Sequence, residues 1–74
     1  MTLLLESTRV ERVAAMTWRL LTAGELLTVE EARRFGVSTR TIQRDLAEIS
    51  RVLAVRPDYA GRWLAPEEMR ISLY

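Results

Sequence analysis

The chain has 74 residues, 49% of them hydrophobic and 28% charged, with a formal net charge of +1. That is one domain near the small end of what folds unaided, where a core yields on the order of 3–5 kcal/mol net, so a partner or a second copy is expected to contribute. Neither Cys nor His occurs, which excludes a disulfide framework, thiolate or imidazole catalysis and the usual soft metal ligands, so no catalytic residue, metal or cofactor is expected.

Residues 1–7, MTLLLES, are too short for a signal-peptide core and lack a basic leader, and no apolar run approaches the roughly 20 residues that span a bilayer. The expectation is a soluble cytoplasmic chain without a membrane partner. Leu3, Leu4 and Leu5 read three ways, as a frayed arm, a short strand or an apolar tag docked on a partner. Thr8 and Glu11 then form a capping box, predicting a helix from Arg9 to about Ala23 that stops at Gly24. Its inner face is predicted as Val10, Val13, Ala14, Thr17, Leu20 and Leu21. Trp18 lies off that stripe as a core-edge aromatic, with a dimer contact as the alternative. Glu25 to Leu27 suit a short strand with Leu26 and Leu27 in the core.

Thr28 and Glu31 repeat the capping-box letters, predicting a second helix from about Val29 to Phe35 with Val29, Ala32 and Phe35 inside. Gly36 supplies a turn residue open to positive φ, Val37 an apolar plug and Ser38 an N-cap. The third helix, Thr39 to about Arg51, carries Ile42, Leu46, Ile49 and Leu53 at i, i+4, i+7 and i+11, which places them on one buried stripe. Arg40, Arg44, Ala47 and Arg51 repeat that spacing on the opposite side, with Gln43 between. A short helix with small Ala32, a Gly turn, an apolar plug and a Ser cap together describe a helix-turn-helix. Asp45, acidic beside the outer face, requires an intramolecular partner, with Thr41, Arg19 or Arg33 as candidates.

Charge distribution says more than the sum. From Ala32 to Arg44 the chain holds Arg33, Arg34, Arg40 and Arg44 and no acid, and every basic residue in it is arginine, a bidentate donor suited to guanine edges and phosphates. Beyond the third helix, VLAVRP and RWLAP are β-leaning runs around the turn Asp58 to Gly61, a hairpin flanked by Arg56 and Arg62, with Trp63 closing the core beneath it. Pro66, Glu67 and Glu68 suit the opening of a short helix. Met69, Ile71 and Leu73 alternate with Arg70 and Ser72 as a strand does, and such a strand needs an edge to pair with, from the hairpin or a second copy.

Phe35 to Leu46, FGVSTRTIQRDL, resembles the recognition-helix signature FxVSxRTIxRDLxxL of the DeoR-like winged helix-turn-helix regulators and is similar to the DNA-binding heads that precede WYL domains, with Ile49 where Leu is usual. The resemblance extends over about two-thirds of the chain. It implies a mainly α fold with a small β-hairpin, a single winged helix-turn-helix domain over residues 1–74: three helices, a wing at about 52–65 and a tail at 66–74. It further implies a sequence-specific regulator of transcription, a repressor, that binds double-stranded DNA as a homodimer on a two-fold site within the nucleoid. Thr39, Arg40, Gln43 and Arg44 would read bases in the major groove, Arg40 or Arg44 suiting guanine and Gln43 adenine. Thr28, Arg33, Arg34, Ser38, Thr41, Arg51, Arg56 and Arg62 would serve phosphates. In such regulators an effector domain would follow where this chain stops, so no sensor or small-molecule ligand is evident. The alternative reading is a winged-helix module whose arginine face binds an acidic protein.

Overall fold

The structure, a computed structural model, describes residues 8–58 and 60–71. Helix α1 (Arg9–Ala23) begins with the expected capping box: the Thr8 hydroxyl accepts the Glu11 N–H at 3.1 Å and the Glu11 carboxylate accepts the Thr8 N–H at 3.0 Å. It ends at Gly24, whose φ of 87° lets its N–H turn back to the Leu20 carbonyl.

Helix α2 (Thr28–Phe35) follows strand β1 (Glu25–Leu27) without a break, and here the expected capping box is not made. Thr28 lies inside the helix, and its hydroxyl and N–H both donate to the Gly61 carbonyl of the hairpin tip, while Glu31 turns away to Arg19. Tertiary partners have outbid the local motif, because Thr28 sits where the strand ladder runs into the helix. The inner face of α2 is accordingly Thr28, Glu31 and Ala32, with Phe35 packed against the core; Val29, expected inside, is exposed. Gly36 takes the left-handed conformation (φ 69°), the Val37 N–H returns to the Ala32 carbonyl, and Val37 packs on the core. Ser38 then caps helix α3 (Thr39–Ile49) by accepting the Thr41 N–H at 3.2 Å. That helix stops two residues before the expected Arg51: the Ser50 hydroxyl takes the Ala47 carbonyl at 2.7 Å, and turns carry the chain to Leu53.

Strands β2 (Arg56–Pro57) and β3 (Arg62–Leu64) form the expected hairpin, and β1 pairs with β3 on its other side, giving an antiparallel sheet of order β1-β3-β2. Leu26 opposes Trp63, and Pro57 sits on an edge strand where its missing N–H is tolerated. Alternation along β1 turns Leu26 inward and Leu27 outward, so only the first of the two leucines expected in the core is there.

The core gathers Met16 and Leu20 from α1, Leu26, Ala32, the α3 stripe Ile42, Leu46 and Ile49, and Val55 and Ala65 from the chain around the hairpin, with Trp63 and Leu53 packed against it. The α3 stripe is thus as expected. Helix α1 is rotated from its expected setting: Arg12, Met16 and Leu20 face inward, whereas Val10 and Ala14 are exposed. Trp18, expected at the core edge, is 56% exposed.

The tail departs further. Glu67–Met69 forms a 3-10 turn, the Ile71 N–H donates to the Leu21 carbonyl at 2.7 Å, and the Arg70 guanidinium covers Gly24 so closely that a Cβ there would lie 2.5 Å from Nε. The described part of the tail therefore folds back on the end of α1 instead of extending as a strand, and Ser72 to Tyr74 lie outside the described residues, as do Leu3 to Leu5. No helix among the described residues is long and apolar enough to cross a membrane. Three helices with a three-stranded sheet, β2 and β3 forming its wing, make a mainly α winged helix-turn-helix.

Candidate nucleic-acid interface

Beside its buried apolar stripe, α3 is held to α1 by a buried ion pair. Asp45, on the side of α3 turned toward α1, is 2% exposed and accepts Arg12 Nε at 2.6 Å, with Arg12 Nη2 at 3.4 Å from the other oxygen and Arg9 Nε at 3.4 Å. The partners expected for Asp45 are therefore replaced: Thr41 bonds Ser38, Arg19 is taken by Glu31, and Arg33 is exposed. Arg19 Nη2 donates to Glu31 Oε1 at 2.9 Å, while its Nε lies 2.8 Å from Oε2 without the angle for a hydrogen bond, so that second contact is Coulombic. Arg12 and Arg19 stand seven residues apart and so share one face of α1, one tying it to α3 and the other to α2. Sequence reasoning named Arg19 only as a partner for Asp45 and missed Arg12, although two arginines seven residues apart on one helix were a signal available in the residues.

With the acid withdrawn, the outward side of α3 carries no negative charge in its first two turns. Thr39, Arg40, Gln43 and Arg44 are all exposed, as is Ala47 farther along. The side chains of Arg40, Gln43 and Arg44 make no hydrogen bond or ion pair with any other described residue. Their guanidinium and amide groups are held out from the N-terminal turns of a capped helix, where backbone N–H groups and the positive end of the helix dipole also point. Arg33 and Arg34 close the last turn of α2, exposed beside the same turn.

The sequence of residues 12–61, which runs from α1 through α3 and ends just before β3, is matched by a family model, that of the DeoR-like helix-turn-helix domain. The chain belongs to the DeoR-like helix-turn-helix family. Neither a curated protein nor a solved structure matches it. A DeoR-like domain is a DNA-binding helix-turn-helix regulator.

The remaining positions expected at phosphates fall into three groups in this DeoR-like domain. Arg33, Arg34 and Arg56 are exposed and make no ion pair with a described residue, and Arg51 is 74% exposed with only a 3.4 Å contact to Glu48. Ser38 and Thr41 share a hydroxyl–hydroxyl bond at 3.1 Å that still leaves one O–H to donate. Thr28 and Arg62 are committed elsewhere. Thr28 is 3% exposed with its hydroxyl on Gly61, which removes it from the surface. Arg62 closes the hairpin through Asp58 Oδ2 at 2.7 Å and reaches Glu25 at 3.5 Å, so its charge and that of Asp58 largely cancel at the wing tip.

Proposed function

We propose that this chain is a sequence-specific regulator of transcription, acting as a repressor, that places α3 in the major groove of double-stranded DNA. Thr39, Arg40, Gln43 and Arg44 read base edges; Arg40 or Arg44 takes guanine O6 and N7 as a bidentate donor, and Gln43 takes adenine. Arg33, Arg34, Ser38, Thr41, Arg51 and Arg56 take phosphates, with the N-terminal amides of α3 beside them. Thr28 and Arg62 drop out of that set, for the contacts given above. A homodimer sets two such helices on a two-fold site, which is how a reader of a few base pairs reaches useful specificity. A cytoplasmic, nucleoid-associated location goes with this role.

The observation that carries the reading is the unpaired, outward presentation of the Arg40, Gln43 and Arg44 side chains on a helix whose buried acid, Asp45, is sequestered by Arg12. Fluorescence-anisotropy titration against random duplex at several salt concentrations tests it. DNA binding weakens steeply with salt as counterions return to the phosphates, whereas a module for an acidic protein partner leaves duplex unbound at every salt concentration. Selection from a random duplex pool then gives the operator.

A further inference from the structure

We propose that the outer face of α1 is the surface through which two copies of this chain associate. It deepens the dimeric part of the proposed function and rests on that part alone. Helix α1 has two apolar faces where a scaffold helix needs one. Met16 and Leu20 fill the core; Val10, Ala14, Thr17 and Leu21 stand at i, i+4, i+7 and i+11 on another side, the same spacing as the buried stripe of α3. The first three of these line an open apolar groove whose far wall is Ile49, the last residue of α3, with Val52 and Leu53 just beyond it. Val10 is 77% and Val52 83% exposed, and Trp18, one turn on from Ala14, adds an exposed indole. Single exposed apolar side chains need no explanation, but a contiguous patch of them does.

A second copy fits this face. The middle of the stripe is Ala14 and Thr17, both small, and its ends are the larger Val10 and Leu21. Two such helices crossing antiparallel about a two-fold axis between Ala14 and Thr17 approach closely at the centre and set Val10 of one against Leu21 of the other, a self-complementary arrangement. Charge agrees. Antiparallel pairing runs the two α1 dipoles in opposite directions, so they do not repel one another, and the negative end of each is already covered by Arg70 at Gly24. The groove rim carries both signs, Arg9 and Arg51 about Glu48, so like charges do not force copies apart. A specific interface needs about 500 Å² from each partner, roughly a tenth of this chain's 5398 Å² surface, and Trp18, 56% exposed, supplies on the order of 100 Å² of it beside Val10 and Val52. The groove lies at the C-terminal end of α3, so its occupation leaves Thr39 to Arg44 open.

Sedimentation velocity across a wide range of protein concentration, without DNA, tests the interface separately from base reading. The full chain is expected to dimerise reversibly, and Ala14→Arg, an exposed substitution, to raise the dimer dissociation constant at least about tenfold with an unchanged far-ultraviolet circular dichroism spectrum. Because the chain has no cysteine, Ala14→Cys gives a second readout that does not depend on the arginine variant folding: mild oxidation is expected to link its copies covalently, while Glu30→Cys, on α2, stays unlinked. A full chain that is monomeric throughout overturns the proposal, as does dimerisation that appears only once residues 1–7 are deleted, which would mean that the leucines of that segment fill the groove. Equal dimerisation by Ala14→Arg, or equal cross-linking of the two cysteine variants, overturns it as well.

Discussion

Arg12 on α1 and Asp45 on α3 are joined at 2.6 Å inside the fold, 33 residues apart in sequence, with the carboxylate 2% exposed. Breaking a buried pair of this kind typically costs about 3–5 kcal/mol, comparable with the whole stability expected of so small a core. Asp45→Ala is the worse of the two, because it removes the carboxylate that both Arg12 and Arg9 face, whereas Arg12→Ala leaves Arg9 at 3.4 Å from Asp45. Urea denaturation followed by circular dichroism is expected to show Asp45→Ala largely unfolded in buffer, Arg12→Ala destabilised less, and the double variant Arg12→Met, Asp45→Leu recovering most of the loss.

Glu31→Gln separates two readings of the same letters. A capping box accepts Gln as readily as Glu, so a cap would leave stability unchanged. Here Glu31 is 1% exposed and its carboxylate serves Arg19. The substitution is therefore expected to cost about 1.5–3 kcal/mol, the range for hydrogen bonds to charged groups, in a denaturant titration.

Arg40→Ala and Arg44→Ala touch no intramolecular contact, so each is expected to melt with the wild type. Each is expected to lose about 1–3 kcal/mol of discrimination at the base it reads, measured by anisotropy against the selected duplex and single-base variants of it. Both variants keeping full discrimination would end the groove-reading assignment.

The wing makes a contrast within one hairpin. Arg56 is exposed and makes no ion pair with a described residue, so Arg56→Ala is expected to weaken binding evenly across sequences and lower the salt slope by about 1. Arg62 is tied to Asp58 and Glu25; Arg62→Ala is expected to leave the slope nearly unchanged and to loosen the hairpin, seen as faster amide exchange at Asp58 and Gly61.

The parts that sequence reveals well are those decided locally. The Thr8 cap, the glycine stops at positions 24 and 36, the Ser38 cap and the stripe from Ile42 to Ile49 depend on neighbours within a turn or two, and each is where its residues indicate. The rotation of α1 is decided at a distance. Arg12 and Arg19 are polar letters that a periodicity argument assigns to solvent, yet each finds a buried carboxylate on another helix, and that draws Val10 and Ala14 outward. The Thr28 and Glu31 motif fails for the same reason, since both side chains have stronger tertiary partners than one another. At the interface, the exposure of Arg40, Gln43 and Arg44 follows from spacing alone, while the loss of Thr28 and Arg62 depends on who sits across from them in the sheet.

Because α3 is fastened from behind by a two-pronged charge contact and a row of aliphatic groups, its front carries none of the burden of staying folded. Residues 40, 43 and 44 can be exchanged for other helix-compatible side chains at little penalty to the architecture, so under the proposed function a lineage would rewrite which operator it answers to by point changes there while inheriting the scaffold intact.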